Sequence, residues 1–269
     1  METNEILKAI KIKKDVIKLC KKAGKIILDA YGKINFDQKT SSRDLVTQYD
    51  KKVQEYLESN LSKKYPEINF LAEESDDLGK VDIYHGEFFV IDPIDGTSNF
   101  IHNLKHSAIS VGYVKDGEVV LGVVYNPYTK DFYSAIKGQG AYLNAENISV
   151  NNLSVKNGLV GYGTACYYDD LRQQAKTIHN LVTDNVNDLR RPGTASLDLC
   201  YLASGKFCAF YECRLAPWDY CAGMLIIAEA GGKITDFDGK PLSLEKKCPV
   251  IAGNPIAYKE LFDIISAVK

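Results

Sequence analysis

The sequence feature that most constrains this chain is an apolar stretch, residues 88–91, that runs directly into Asp92-Pro93-Ile94-Asp95-Gly96-Thr97. Aromatic and β-branched residues in an uninterrupted run are typical of a buried strand, which is predicted to stop at the two carboxylates. Pro93 favours an extended backbone at Asp92, while Gly96 allows a tight turn that leaves amide donors free at the start of a helix. We therefore predict an acidic site at the end of a strand.

Carboxylates beside free amides suit two kinds of ligand at once. Aspartate oxygens bind hard cations, and the amides at a helix start bind anions. A phosphate ester bridged by Mg²⁺ satisfies both, because the ion cancels the repulsion that would otherwise raise the pKa of one of the two carboxyl groups. An Asp-Pro turn followed by an Asp cap is the plainer explanation, and for Asp-Pro considered alone it is favoured.

The composition predicts an ordinary globular protein of the cytosol. Hydrophobic residues make up 45% of the 269 residues, and the formal charge of −2 gives no reason to expect a nucleic-acid partner. The seven cysteines form neither CxxC pairs nor Cys/His metal spacings, which predicts reduced thiols in the core. The N-terminus is charged and the sequence has no long apolar run, so we expect no signal peptide and no membrane span.

Helical and strand patterns alternate along the rest of the chain, which predicts the α/β class. Thr47 is a predicted N-cap of a helix that ends before Pro66, and a capping box is the plainer explanation of Asp50. Lys115-Asp116-Gly117-Glu118 predicts a hairpin turn. The other predicted helices cover residues 1–31, 169–182, 195–203, 217–230 and the segment after Pro255. The other predicted strands cover residues 69–72, 107–114, 119–125, 131–136, 141–143, 158–165, 207–211, 233–237 and 250–252.

Acidic residues stand at the edges of three predicted elements that are far apart in the chain. The pair at residues 73–74 follows one strand, Asp92 and Asp95 follow another, and Asp219 lies in the first turn of a helix. Singly, adjacent loop acids are usually solvated, and a first-turn acid is explained by the helix dipole. Only their combination indicates a shared site.

This acidic set, together with Thr97 and Asp50, resembles the motifs of the inositol monophosphatase family, a Mg²⁺-dependent and lithium-sensitive group of sugar phosphatases. The matching signatures are Ala72-Glu73-Glu74-Ser75, Asp92-Pro93-Ile94-Asp95-Gly96-Thr97 and Trp218-Asp219-Tyr220-Cys221-Ala222-Gly223. The resemblance covers nearly the whole chain in the family's order and approximate spacing. Its further matches are Asp44-Leu45-Val46-Thr47, the hairpin at residues 110–127 and Gly193-Thr194-Ala195.

The resemblance implies a layered αβαβα sandwich within the α/β class. An α+β half with an antiparallel sheet would span residues 1–150, and an α/β half would span residues 151–269, the two forming one compact catalytic unit with the metal site between them. A homodimer is expected on the same ground.

The resemblance also implies two or three Mg²⁺ ions per active site. Their ligands would be Glu73, Asp92, the Ile94 carbonyl, Asp95 and Asp219. Ions held close together suit an in-line displacement, in which metal-activated water attacks phosphorus directly and no phosphorylated enzyme forms.

The same resemblance implies roles for the residues around the ions. Thr97, oriented by Asp50, would position the attacking water together with Glu73. The amides of Gly96 and Thr97 would hold the phosphate. The four histidines lack ligand spacing and are predicted to be surface or packing residues.

For the alcohol part of the substrate, Glu212 is the main clue. It stands at the position where inositol-type members carry a glutamate that accepts hydrogen bonds from ring hydroxyls, while an exposed strand end is its plainer explanation. Ala195, Asp95 and Asp219 would line the same pocket. The alternatives within the family are fructose 1,6-bisphosphate and the nucleotide phosphates NADP and 3′-phosphoadenosine phosphate. The alternative of another class is an idle member that regulates through protein or RNA contacts.

Overall fold

The structure, a computed structural model, describes residues 2–30, 36–38, 45–75, 77–164 and 168–267. The predicted helix end at Gly32, the motif residue Asp44 and the thiol of Cys166 lie outside these residues. Among the described helices, none combines the length and the apolar character that crossing a membrane would require.

The described residues form helices and short strands in alternation, and most bounds follow the sequence patterns. The helices are α1 (Thr3–Asp29), α2 (Gln48–Lys64), α3 (Thr97–Ile101), α4 (Arg172–Asn185), α5 (Ala195–Ala203), α6 (Pro217–Glu229) and α7 (Pro255–Ser266), with a 3₁₀ turn at Asp169–Leu171. The strands are β1 (Phe36–Gln38), β2 (Leu45–Thr47), β3 (Asn69–Ala72), β4 (Glu87–Asp95), β5 (Ala108–Lys115), β6 (Glu118–Asn126), β7 (Asp131–Ile136), β8 (Ala141–Leu143), β9 (Glu146–Ile148), β10 (Leu159–Tyr162), β11 (Asp188–Arg190), β12 (Ala209–Leu215), β13 (Lys233–Thr235) and β14 (Cys248–Gly253).

Several strands differ from the sequence prediction. Strand β4 includes both carboxylates that were expected to follow it, and β12 continues through Leu215, so Glu212 lies inside a strand and not at its end. Strand β10 is shorter than predicted. Strands β9 and β11 were not predicted, because three-residue strands with largely exposed side chains show no apolar alternation.

Two large sheets and three helical layers make an αβαβα sandwich, as the resemblance implied, and β1 and β2 form a separate two-stranded sheet. One sheet has the order β3-β4-β5-β6-β7-β8-β9 and is antiparallel apart from the β3–β4 pair. The other is mixed, with the order β11-β10-β12-β14-β13. Helices α1 and α2 cover the outer face of the first sheet, α5 and α6 lie between the sheets, and α4 and α7 cover the second. The division at residue 150 stays a prediction.

The middle layer approaches the first sheet closely because two glycines face it. Gly112 on β5 and Gly122 on β6 are directly paired across the strands. A side chain on Gly112 would overlap the Cys221 sulfur, and one on Gly122 would overlap the Ala222 carbonyl. The missing side chains therefore let the first turns of α6 lie directly on the sheet.

Candidate active site

A bulge in β4 turns its two aspartates to the same side. Asp92 pairs with Ser110 of β5 and Asp95 pairs with Ala108, so three steps along β4 match two steps along β5. In a regular strand, residues three apart point to opposite faces, whereas one extra residue returns the second side chain to the face of the first. Pro93, which has no N–H for the ladder, lies inside this bulge.

Carboxylates from two distant elements meet at this point. Asp92, Asp95 and Asp219 each offer an oxygen, and these atoms all lie within 4.8 Å of one another. Burial raises the pKa of Asp92 well above its usual range, and the nearby charges of Glu73, Asp95 and Asp219 raise it further. The pKa of Asp219 is raised for the same reasons, burial first and then Asp95 and Glu73. The cluster is an electrostatically costly arrangement for a protein without a bound cation.

Two of these carboxylates are held by backbone amides at helix starts. The Ser196 N–H of α5 donates to Asp95 Oδ2 at 2.6 Å, and the Ala216 N–H donates to Asp219 Oδ2 at 2.7 Å. Burial raises the pKa of Asp95 to about 6, although the bonds from Ser196 lower it. Because one oxygen of each carboxylate is held by the fold, the directions of both side chains are set before any ligand arrives.

The acidic tip after β3 is tied to β4 and to α2. The Glu73 N–H donates to the Ile91 carbonyl at 3.1 Å and continues the β3–β4 pairing by one residue. Gln54 of α2 accepts from the Glu74 N–H at 2.9 Å and donates to the Ser75 hydroxyl at 2.7 Å. Buried Gln54 thus orients the turn that carries Glu73.

Asp50 is both a helix cap and a partner of Thr97. Its Oδ2 accepts from the Thr47 N–H at 2.7 Å and from the Thr47 hydroxyl at 2.6 Å, which completes the predicted capping box. Its Oδ1 lies 3.2 Å from the Thr97 hydroxyl, which also lies 3.1 Å from the Ile94 carbonyl. The capping explanation and a role in orienting Thr97 are therefore compatible, because they use different oxygens.

The turn after β4 is joined to the turn before α5. Gly96 has a φ of +86°, and a side chain there would overlap the Thr194 hydroxyl. Buried Asn99 donates to the Pro192 carbonyl at 2.8 Å and to the His106 carbonyl at 2.9 Å, and Thr194 donates to the same His106 carbonyl at 2.8 Å. These bonds hold the two turns against each other across the interface between the sheets.

A cleft of about 550 Å³ opens above the carboxylates. Glu212 lines it from β12, and a side chain on Gly163 would overlap the Glu212 carboxylate. Ala195 and Asp198 of α5 line it from the other side. The strand position of Glu212 therefore directs its carboxylate into the cleft.

The structure brings together the residues that the sequence singled out. Nine of the ten line this cleft, and Asp50 lies behind Thr97. Those nine are Glu73, Asp92, Ile94, Asp95, Gly96, Thr97, Ala195, Glu212 and Asp219. Sequence reasoning missed Gln54, Asn99, Gly163, Thr194 and Asp198. Among them, only Thr194 belongs to one of the motifs that matched the family, Gly193-Thr194-Ala195.

The donor set fits a multivalent hard cation. Every ligand atom in the cluster is a carboxylate oxygen, the class of donor that Mg²⁺ prefers, and a bound cation would remove the repulsion that raises the pKa values.

Comparison with known proteins shows which family this sequence matches. A sequence model described as the inositol monophosphatase family matches residues 10–269. The chain belongs to the inositol monophosphatase family. Within this family, the chain is 36% identical over 255 residues to an inositol-1-monophosphatase of Rhizobium meliloti, covering 91% of this chain and 92% of the relative. It is 34% identical over 253 residues to a fructose-1,6-bisphosphatase/inositol-1-monophosphatase of Thermotoga maritima, covering 94% of each.

A solved structure of a family member has the same fold. The extragenic suppressor protein suhB of Bartonella henselae superposes with a TM-score of 0.86 at 30% identity, covering 95% of this chain and 98% of that chain. The family and the names of the two sequence relatives support phosphatase activity for this chain, although the three names differ in the role that they give.

Proposed function

We propose that this protein is a Mg²⁺-dependent phosphomonoesterase that hydrolyses inositol monophosphate or a related sugar or polyol phosphate. The observation that carries the proposal is the convergence of Asp92, Asp95 and Asp219 within 4.8 Å in a cleft large enough for a small ester. Family membership supports it.

The proposed ion ligands are the oxygens that surround the cluster. Glu73, Asp92, the Ile94 carbonyl, Asp95 and Asp219 would hold two or three Mg²⁺ ions. When bound, Mg²⁺ neutralises these carboxylates, lowers the pKa of water and stabilises negative charge on the phosphoryl oxygens.

The residues of the chain would position the reacting groups. The Thr97 hydroxyl proton is directed to Asp50 or to the Ile94 carbonyl, so the lone pairs of its oxygen are free to accept a hydrogen bond from water. Glu73 would hold the same water from the other side. The amides of Gly96 and Thr97 would hold the phosphate while the water oxygen bonds to phosphorus and the ester P–O bond breaks, and the proton that the water loses would end on the leaving alcohol.

A direct attack by water agrees with the state of the thiols. All six described cysteines are buried. Burial raises the pKa of Cys213 to about 11 and that of Cys208 to about 11, so both thiols stay protonated near neutral pH and are poor nucleophiles. The buried reduced thiols also support a cytosolic location.

The acidic floor of the cleft favours a polyhydroxylated alcohol. Glu212 would accept hydrogen bonds from substrate hydroxyls, with Ala195 and Asp219 beside it. The name of the Thermotoga maritima relative favours one second candidate, fructose 1,6-bisphosphate. We further propose lithium sensitivity and a homodimer, on the ground of the family alone.

The test is a phosphate-release assay on the purified chain. Inositol 1-phosphate, fructose 1,6-bisphosphate, 3′-phosphoadenosine phosphate and NADP are compared in Mg²⁺ and in EDTA. We expect hydrolysis of inositol 1-phosphate in Mg²⁺ only, and a loss of about a thousandfold or more in Asp219→Asn, which removes a proposed ligand. Asp263→Asn, a change of an exposed acid on α7, is the matched control and should retain wild-type activity. Equal rates in EDTA, or an active Asp219→Asn, would contradict the metal-dependent mechanism, and inactivity on all four esters would favour the regulatory alternative.

A further inference from the structure

One acid in the cleft is buried, and the proposed chemistry does not use it. The Asp198 side chain is 2% exposed, and its Oδ1 has no hydrogen-bond partner in the structure. Asp198 nevertheless lines the cleft opposite Glu212. A buried carboxylate oxygen without a donor is costly for a fold, so its position in a ligand cleft indicates a donor that arrives with the ligand.

The rest of the Asp198 side chain is held in place. Asp198 lies in the first turn of α5, where its own N–H donates to the Thr194 carbonyl at 3.0 Å. The Gly193 N–H donates back to the Asp198 carboxyl, and the Arg191 guanidinium attracts it. The carboxyl is thus anchored, while its Oδ1 is left without a donor in a residue that lines the cleft.

The charges around Asp198 determine what it can bind. Asp95 and Glu212 are the nearby acids that repel its negative charge. A phosphate group of the substrate would be repelled by the same carboxylates, whereas an alcohol hydroxyl can donate to an acidic oxygen without adding charge. Asp198 on helix α5 and Glu212 on strand β12 line the same cleft and are close enough to repel each other, so one ring could offer a hydroxyl to each of them.

We propose that Asp198 is a specificity-determining residue that accepts a hydrogen bond from a hydroxyl of the substrate ring, in addition to the contact proposed for Glu212. The inference rests on the proposed function, since it requires a phosphorylated polyol in the cleft. It narrows the preferred substrate to a ring with at least two free hydroxyls beyond the phosphate ester.

The basic residues that line the cleft are Lys51, Arg191, Arg214 and Lys247. The last three already interact with neighbouring side chains, Arg191 with Asp198, which weakens the case for a second phosphate. Arg214 is paired with Asp170 at 2.9 Å and stacks on the Tyr168 ring, and Lys247 donates to the Tyr168 hydroxyl at 2.8 Å. A strong preference for fructose 1,6-bisphosphate over inositol 1-phosphate in the phosphate-release assay above would therefore overturn the assignment of Asp198 to a hydroxyl.

The experiment pairs removal of the carboxylate with removal of single hydroxyls. Values of kcat/KM are measured for wild type and Asp198→Asn on inositol 1-phosphate, on each of its monodeoxy analogues and on glycerol 2-phosphate. A lost charge-assisted hydrogen bond lowers kcat/KM for inositol 1-phosphate about ten- to a hundredfold. For the one analogue that lacks the bound hydroxyl, and for glycerol 2-phosphate, wild type and variant should differ by less than about threefold.

A purely structural role gives a different pattern. If Asp198 only holds the Gly193 turn, the variant loses the same factor on every analogue and on glycerol 2-phosphate, and that result, or no loss on any substrate, overturns the proposal. Asp198→Ser serves as a second variant if Asp198→Asn does not fold, and Asp184→Asn, a change of an exposed acid on α4, is the control. A wild type that hydrolyses none of the esters overturns the proposed function itself, whereas an active wild type with uniform losses overturns only the role of Asp198.

Discussion

At the scale of single residues, the acids of the cleft hold protons more tightly than free aspartates. Burial is the main cause for Asp92, Asp95 and Asp219, and their mutual repulsion adds to it. Without a cation, the ionised carboxylates of such a site repel one another, and a bound cation removes that repulsion. The raised pKa values are thus a consequence of a site shaped for a ligand and not for stability.

The raised pKa of Asp95 predicts how Asp95→Asn changes stability with pH. In the folded protein the pKa of Asp95 is about 6, against an ordinary value of 3.8. Wild type therefore has its full stability with respect to this group below pH 3.8, and it loses stability as pH rises through 6 and the buried carboxyl ionises. In EDTA at pH 8, Asp95→Asn should be more stable than wild type by on the order of 1–3 kcal/mol, and near pH 4 the two should differ little. Urea unfolding at both pH values measures the difference.

Mg²⁺ should reverse the order. Added Mg²⁺ should raise the Tm of wild type far more than that of Asp95→Asn, because ligand binding stabilises only the protein that retains the site. Asp263→Asn should match wild type both in its stability in EDTA and in the rise of its Tm with Mg²⁺. A lower stability of Asp95→Asn in EDTA at pH 8 would mean that the carboxylate mainly supports the start of α5 through Ser196.

Glu212→Ala should change substrate selectivity more than chemistry. Its carboxylate faces the cleft from inside β12, and it is not a member of the three-aspartate cluster. Loss of its hydrogen bonds should lower kcat/KM for inositol 1-phosphate about ten- to a hundredfold, with a much smaller effect on glycerol 2-phosphate and the same Mg²⁺ dependence. Steady-state kinetics with Glu146→Ala, a change of an exposed residue on β9, as control measures this, and equal losses on all substrates would put Glu212 in the catalytic machinery.

At the scale of elements, two departures from regular structure form the site. The bulge in β4 turns Asp92 and Asp95 to one side, and the glycine pair on β5 and β6 lets α6 bring Asp219 to them. Neither feature was predicted as such. The proline and the two glycines can be read from the sequence. Their structural role, however, depends on the pairing of the strands and on the helix that packs against them, and the sequence does not show either.

Gly122→Ala should therefore damage both the fold and the metal site. The new methyl group would overlap the Ala222 backbone and displace α6, at a cost of about 1–3 kcal/mol in unfolding free energy. Because Asp219 lies on the same helix, the affinity for Mg²⁺ should fall as well, which calorimetric titration measures. Gly138→Ala is the control for a weakened fold without a clash: its positive φ strains any side chain, but nothing lies within 4 Å of the added carbon, so its affinity for Mg²⁺ should match that of wild type. If Gly122→Ala were destabilised yet bound Mg²⁺ as wild type does, the position of α6 would not limit the site.

At the scale of the whole molecule, local patterns predicted most elements and the resemblance predicted their layering. The residues that were missed share one property, which is that their role depends on burial by distant segments. Gln54 looks like a solvated residue of α2, and Asp198 looks like an ordinary first-turn acid. Only the packed structure shows Gln54 bonded to the turn after β3 and Asp198 buried in the cleft that Glu212 also lines.

The strands of the first sheet follow one another closely along the chain, whereas Asp219 lies on a helix that comes much later. A ribosome synthesises from the N-terminus, so β4 with its two aspartates and all its sheet neighbours are made well before α6. The growing chain therefore carries Asp92 and Asp95 before their third partner, Asp219, has been made. The three-aspartate cluster, and with it the ion site that we propose, is therefore completed only when α6 docks on the first sheet, which is a late event of biosynthesis.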